Sequence, residues 1–504
     1  MHSIVLTTFN ARYSHASLAL RYLYANLREL QADAAIREFV IQENIQQIAE
    51  RILAERPKIV GISTYIWNAD DVSELTGILK KVSPQTLIVL GGPEASHLPH
   101  RVDFSRADYI ISGEGEVAFY ELCRDLLDGK RPEQRFIKAP MVDVSAIALP
   151  YDCYDDNDIA HRYIYLETSR GCPYLCEFCL SAIDDKMRYF DIGVMTAEFE
   201  KLWRRGVRSF KFIDRTFNLK LAYANRILDF FLAKEEPLFL HFEVIPDHFP
   251  EALRGRIARF APAALQLEIG IQTLNPAVAD NIHRPLRLEK IEANLRFLEE
   301  HTHAHLHLDL IVGLPGETLQ SFAQGLNTLV SWSSGEIQIG ILKKLSGTTM
   351  ARHDDPFGMV YSDKPPYDVL KTAHVTFEEI QKMKRFARYW DLLYNSGNFR
   401  QSVAMLWPDG DVFRGFSDFS DWVYDQTAAT WKIAQERMAK LLFEYLTDQK
   451  SGDKAAAGKA MASDLGKSPG RRLPPFLRPF AAETGDGGQT VTAGASTKRQ
   501  AMRA

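Results

Sequence analysis

The stretch Ser169-Arg170-Gly171-Cys172-Pro173-Tyr174-Leu175-Cys176-Glu177-Phe178-Cys179-Leu180 carries three of the chain's five cysteines, spaced CxxxCxxC. Thiolates hold iron–sulfur clusters, and a cubane cluster has four iron corners, so three closely spaced cysteines fill three and leave one open. An open coordination position separates a catalytic metal site from a closed structural one. A zinc knuckle is the weaker alternative, because neither a fourth cysteine nor a spaced histidine lies nearby to complete a tetrahedron. Cys123, at an apolar position of an expected helix, and Cys153 read as ordinary thiols.

Working outward, an apolar run from Tyr163 to Thr168 leads into the loop, and strand and helix patterns alternate after it. The expected strands are 163–167, 209–214, 238–245, 264–270, 305–312 and 336–342. Polar residues gather at their ends: Asp214-Arg215-Thr216-Phe217-Asn218, Glu243 before Pro246, Glu268-Ile269-Gly270-Ile271-Gln272 and Val312-Gly313-Leu314-Pro315-Gly316-Glu317-Thr318. Six such units make a partial barrel, in which function collects at the carboxyl ends of strands.

With its loop after a first strand and the aromatic Phe178 before the last cysteine, this region resembles the radical S-adenosylmethionine (SAM) enzymes. The resemblance implies that Cys172, Cys176 and Cys179 bind a 4Fe-4S cluster whose open iron chelates SAM. One electron then cleaves the sulfonium to a 5'-deoxyadenosyl radical, and the cofactor carries the hard chemistry. It further nominates Phe178, Asp214, Glu243, Gln272 and Gly313 as SAM-binding residues, and flavodoxin or ferredoxin as the kind of electron donor. For the carboxylates the structural alternative is an interior ion pair with Arg or Lys.

Upstream, residues 1–130 alternate short β-branched runs with helical periodicity at 3–9, 36–41, 58–64, 86–90 and 108–111. This pattern predicts a doubly wound parallel sheet with ligand-binding loops at the strands' carboxyl ends. The loops contain Thr7-Thr8-Phe9-Asn10, Ser63-Thr64-Tyr65, Gly91-Gly92-Pro93-Glu94 and Ser112-Gly113-Glu114-Gly115-Glu116. Glycines at such turns are common on structural grounds alone. Their order ahead of a CxxxCxxC loop resembles the cobalamin-dependent branch of the radical SAM enzymes. That resemblance implies a Rossmann-like B12-binding domain whose cobalamin contacts are Thr8, Asn10, Ser63, Thr64, Gly91, Gly92, Glu94, Gly113 and Glu114. The DxHxxG motif of many cobalamin proteins is absent, so cobalt without a histidine ligand is expected, and His15 reads as a helix-start residue.

Residues 131–162 lose periodicity around Pro132, Pro140 and Pro150 and read as a linker, and the barrel occupies 163–348. His301, His303, His305 and His307 alternate ahead of Asp309, and a strand places His305, His307 and Asp309 on one face. The plain account is a helix end followed by a polar-lined barrel strand; a second metal is the minor reading, and proton transfer near substrate by His305 or His307 is more plausible than a metal. Residues 349–448 read as helical and rich in aromatics, either capping the barrel or forming a packed core. Residues 449–504 read as a disordered tail interrupted by Arg471-Arg472-Leu473-Pro474-Pro475-Phe476-Leu477-Arg478-Pro479-Phe480, by default a linker remnant.

The composition, 46% apolar and 25% charged, is that of a globular chain. A net charge of −5 offers no basic stripe for nucleic acid. An amino terminus that runs directly into a strand pattern, and no apolar run of about 18 residues, lead us to expect no signal peptide and no membrane span. Five cysteines with three clustered point to a reducing compartment, hence the cytoplasm. The expected fold is α/β: a Rossmann-like domain, a partial TIM-type barrel and a mainly helical C-terminal region. The expected activity is cobalamin-dependent radical SAM chemistry on an unidentified substrate, most readily methyl transfer to carbon. A non-methylating rearrangement or cyclisation is the runner-up, and a non-catalytic iron–sulfur and corrinoid sensor the alternative from another class. The catalytic residues stay unassigned at this stage.

Overall fold

A computed structural model of the chain describes residues 1–467 and 472–481. It divides into two compact units. The first comprises Met1–Glu243, Lys343–Asp354 and Val360–Val369, and the second Val244–Leu342, Asp355–Met359 and the chain from Leu370 onward.

In the first unit, six parallel strands form one sheet: β1 (Ile4–Asn10), β2 (Ala34–Val40), β3 (Ile59–Ser63), β4 (Leu87–Gly91), β5 (Tyr109–Ser112) and β6 (Phe136–Lys138). Their order is β2-β1-β3-β4-β5-β6. Alternate residues pack on opposite faces. Val5, Phe9, Val60, Ile62, Ile88 and Leu90 join one core with helices α2 (Ile45–Leu53) and α3 (Ala69–Val82). Ile4, Leu6, Ile59, Val89 and Ile111 join another with α1 (Leu18–Ala25) and α4 (Gly115–Leu127). Helices on both faces explain why these strands read as unbroken apolar runs. The strand order reverses between β1 and β3, where a doubly wound sheet opens a crevice beyond the strand ends.

The linker expected over 131–162 is corrected here. It contains β6, which pairs with β5 through Ile110 and Phe136, and a helix over Asp156–His161 closed by an Asp155/Asp158 capping box. Three residues are too few to show a period in the sequence, and the flanking prolines hid the strand.

The first unit continues with β7 (Ile164–Leu166), a two-residue antiparallel pair β8 (Ser169–Arg170) and β9 (Arg188–Tyr189), β10 (Ser209–Phe212) and β11 (Phe239–Val244). β10 lies parallel to β7 and to β11. The second unit holds β12 (Leu265–Gln272), β13 (His305–Val312) and β14 (Glu336–Ile341), also parallel. The amide of Asn395 bonds both backbone groups of Ile337 in β14, donating to its carbonyl (3.0 Å) and accepting from its N–H (2.9 Å). That amide takes the place of a further strand.

The aromatic residues of the helical region pack on one another: Trp390 lies 4.2 Å from Tyr394 and 5.0 Å from Phe416, and Phe386 lies 4.9 Å from Phe416, centroid to centroid. This is core packing. The tail is corrected too. Lys454–Gly466 is a helix that buries Ala457, Met461 and Leu465, and Asp464 accepts hydrogen bonds from the backbone N–H groups of Gln401 and Ser402. Phe476 and Phe480 pack on Phe443, so the apolar insert is docked rather than a linker remnant. Arg471 and the tail beyond residue 481 lie outside the described residues. No described helix is long and apolar enough to cross a membrane.

Candidate functional site

The cysteine loop leaves β8 through Gly171, whose φ of +88° suits glycine. A Cβ there would lie 2.3 Å from the Lys186 carbonyl oxygen, so no side chain fits. The Cys172 N–H donates to the Asp184 carbonyl (2.8 Å) and the Cys179 N–H to that of Cys176 (3.0 Å), folding the loop back on itself. None of the three is in a disulfide; Cys172 and Cys176 are buried and Cys179 is half-buried. Burial first, then the neighbouring thiols Cys179 and Cys176, push the Cys172 thiol up. Metal binding would relieve this by displacing the protons.

Asp214 braces the approach to the loop. Its carboxylate accepts from the Thr168 N–H (3.0 Å), the Thr168 hydroxyl (2.7 Å) and the Ser169 hydroxyl (2.5 Å). Burial raises its pKa and those donors oppose the rise. Glu243 is held bidentately by Arg215, at 2.8 and 3.0 Å.

Next to this loop the first unit encloses a cavity of about 770 Å³. Its walls come from the β1 and β3 ends (Asn10, Ser63, Tyr65, Trp67), the glycine turns (Gly91, Gly92, Gly113, Glu114) and the cluster loop itself (Arg170, Gly171). Gly92 has φ +96°, and a Cβ there would stand 2.5 Å from the Thr64 carbonyl oxygen. Tyr65 and Trp67 stack at 4.4 Å, and the Trp67 indole N–H donates to the Phe9 carbonyl (3.1 Å).

An ionic lattice binds the α4 end of the cavity to the cluster loop. Arg170 reaches Glu116 (2.7 Å), Glu167 (3.0 Å) and Glu114 (3.4 Å), and Arg188 reaches Glu114 (2.7 Å) and Asp184 (2.5 Å). Burial lifts Glu167 to about 7 against the pull of Arg170. Neither arginine stood out in the sequence; their place one and nine residues from the loop's ends was the available signal.

Of the nine residues nominated for cobalamin, Asn10, Ser63, Gly91, Gly92, Gly113 and Glu114 line the cavity. Thr8, Thr64 and Glu94 are not among its lining residues. The Thr8 hydroxyl donates to the Ser63 carbonyl (2.9 Å), the Thr64 N–H donates to Gly91 O (2.8 Å), and Glu94 is buried against Tyr367. They shape the loops from beneath. His15, two residues ahead of the Ser17 cap of α1, also lines the cavity, with Nδ1 2.5 Å from the Tyr165 hydroxyl, and burial lowers its pKa.

Phe178 is half-buried within the loop. Gln272 and Gly313 belong to the second unit, at the ends of β12 and β13, both with positive φ (+71° and +86°). In that unit Glu268, His307 and Asp309 bring their ligand-capable atoms within 4.8 Å of one another, the one such group of metal-ligating side chains among the described residues. His305 instead pairs with Glu336 at 2.8 Å. Arg284 donates to the Gly270 carbonyl beside them.

Comparison with known proteins gives three family matches along the chain: the B12 binding domain over residues 4–123, the radical SAM superfamily over 166–329, and a protein family of unknown function (DUF4080) over 355–478. The chain belongs to the cobalamin-dependent radical SAM family. Within this family it is 26% identical to the cobalamin-dependent radical SAM methyltransferase TokK of Streptomyces tokunonensis, over 72% of this chain and 58% of that protein. It is 26% identical to the 2-(S-pantetheinyl)-carbapenam-3-carboxylate methyltransferase of Streptantibioticus cattleyicolor, over 58% of this chain and 47% of that one. The chain thus spans about half the length of these two relatives. The family fold is shared with the cobalamin-dependent SAM radical enzyme OxsB (TM-score 0.63, 14% identity, 95% of this chain and 83% of that one). It is also shared with the methyltransferase TsrM of Kitasatospora setae (TM-score 0.59, 17% identity, 72% and 78%).

Proposed function

We propose that this protein is a cobalamin-dependent radical SAM methyltransferase acting on carbon. The carrying observation is that one cavity is lined both by the glycine turns of the B12-binding domain and by Arg170 and Gly171 of the cysteine loop. A corrinoid held by those turns would lie against the loop that binds the cluster.

The residues fit the groups this reading requires. Three thiols on one folded loop, none of them in a disulfide and two close enough to the third to push the Cys172 thiol up, suit three corners of a 4Fe-4S cluster. A cavity at the strand-order reversal, with Gly92 allowing close approach of backbone, suits a large planar ligand. Cys172, Cys176 and Cys179 would hold the cluster, and Asn10, Ser63, Gly91, Gly92, Gly113 and Glu114 the corrinoid. When bound, these groups supply one-electron reduction of SAM and methyl carriage.

The chain's own residues position and insulate. Asp214 keeps Thr168 and Ser169 in register ahead of the loop, and Arg170 and Arg188 hold the cavity's acidic rim against it. Glu243 fixes Arg215, which also lines the cavity. The polar side chains of β12 and β13, with Gln272 and Gly313, are proposed for SAM and substrate. The proposed donor is a flavodoxin or ferredoxin, and the proposed setting the cytoplasm.

The test is anaerobic reconstitution with iron, sulfide and hydroxocobalamin, followed by SAM carrying a labelled methyl group, a strong reductant and cell extract. We expect 5'-deoxyadenosine together with label in a carbon-methylated product. Deoxyadenosine without labelled product would favour the non-methylating reading. Its absence, with cluster bound, would sink the enzyme reading in favour of a sensor.

A further inference from the structure

Two buried carboxylates in the two cofactor loops are held by one short run of sequence. Glu177 stands between Cys176 and Cys179 and is 3% exposed. Its carboxylate is 2.5 Å from His353 Nε2 and is ion-paired with Arg352. Glu94 ends the Gly91-Gly92-Pro93-Glu94 turn, is 6% exposed and accepts from the Tyr367 hydroxyl at 2.5 Å. Arg352, His353 and Tyr367 all belong to the two short stretches, Lys343–Asp354 and Val360–Val369, in which the chain rejoins the first unit.

The return segment has further holds on the glycine-turn side. Arg101 donates to the Lys344 carbonyl (2.7 Å), and its guanidinium lies over the Tyr367 ring at 4.4 Å. At Gly347 the segment passes so close to His97 that a Cβ would collide with the imidazole. A buried carboxylate is costly unless its donors stay in place, so each loop keeps its shape only while this segment is seated. Glu177 is adjacent to one cysteine and two residues from another, and Glu94 is two residues from the cavity-lining Gly92. Movement of the segment would therefore reach both loops.

We propose that residues 343–354 and 360–369 form a strap that fixes the cluster loop and the corrin-facing turn relative to each other, with Arg352, His353 and Tyr367 as positioning residues. None of these residues lines the cavity, and the strap sets the geometry through Glu177 and Glu94. It rests on the reading of these loops as cluster- and corrin-binding.

The experiment uses reconstituted holoenzyme and the variants His353→Ala and Tyr367→Phe. Four quantities are read: iron per chain, the EPR signal of the reduced cluster with SAM, hydroxocobalamin affinity by visible titration, and 5'-deoxyadenosine formation. His353→Ala is expected to shift the EPR signal and slow deoxyadenosine formation about tenfold or more, as small misplacements of reacting groups do. Tyr367→Phe is expected to weaken hydroxocobalamin binding roughly 3- to 10-fold, the effect of losing one ordinary hydrogen bond.

Crosstalk decides. A strap requires His353→Ala also to weaken hydroxocobalamin binding and Tyr367→Phe also to shift the EPR signal. Variants that each disturb only the nearer cofactor would overturn it. Should His353→Ala lose both cofactors and melt early, His353→Gln, which keeps a donor toward Glu177, must restore both; failure to do so also overturns the strap. Wild-type protein that takes up neither cluster nor hydroxocobalamin would overturn the cofactor reading itself, a result distinct from any variant pattern.

Discussion

The strands β1 and β3 and the strands β12 and β13 are all parallel, yet they bury themselves differently. Every residue of β1 and β3 is buried, with apolar side chains on both faces. In β12 and β13 burial alternates strictly: Leu267, Ile269, Leu306, Leu308 and Leu310 are buried, while Glu268, Gly270, His307 and Asp309 are half-buried. A sheet covered on both sides leaves no strand position for chemistry, so function moves to the loops beyond its ends. A sheet with one half-open face carries reactive side chains along the strands themselves. The first arrangement suits a large ligand laid across loop backbone, the second polar contacts to a smaller one.

The contrast is open to measurement. The largest effect belongs to the loops: replacing Cys172, Cys176 or Cys179 by Ala should abolish the cluster EPR signal and 5'-deoxyadenosine formation while the circular dichroism spectrum stays native. On β13, Leu308→Ala should lower apparent stability to urea by about 2–5 kcal/mol, the cost of emptying a packed position. Its neighbour Asp309→Asn should cost about 1 kcal/mol or less while impairing SAM-dependent turnover. Equal destabilisation by the two would mean that the polar face is structural.

Gly92→Ala forces a side chain into positive φ against Thr64 and should cost roughly 1–3 kcal/mol. It should also weaken hydroxocobalamin binding, read by titration. A pH-dependent effect concerns Glu317, which burial raises from its ordinary 4.5 to about 7 although Ser321 and Thr273 donate to it. The folded chain then binds more protons than the unfolded chain between those values. Its contribution to stability is complete below pH 4.5 and is lost as pH rises through 7, at no more than about 1.4 kcal/mol per pH unit. Glu317→Gln should flatten the slope in thermal melts across that window.

Much of this was legible because it is local. The cysteine spacing needs no tertiary knowledge, and strands buried on both faces must read as continuous runs such as Ile4 to Phe9. The alternation of His305 to Asp309 likewise announced a two-faced strand. What escaped depends on where a chain turns. Thr8, Thr64 and Glu94 are buried polar residues whose hydrogen-bond partners, Ser63, Gly91 and Tyr367, are set by tertiary packing and not by residue type. The helix Lys454–Gly466 has an alanine-rich, weakly patterned sequence, and its order comes from partners such as Ser402 and Phe480. The contact of His15 with Tyr165 was out of reach because the two stand 150 residues apart.

The grip on Glu177 also has a history in time. Its partner His353 follows 176 residues later in the chain. At ribosomal speeds of about 5–20 residues per second, roughly 10–35 s pass between the emergence of the two. During that interval the three thiols are already outside the ribosome while the carboxylate between them still faces water, so iron delivered early would meet a nascent polypeptide whose clasp has not yet been made.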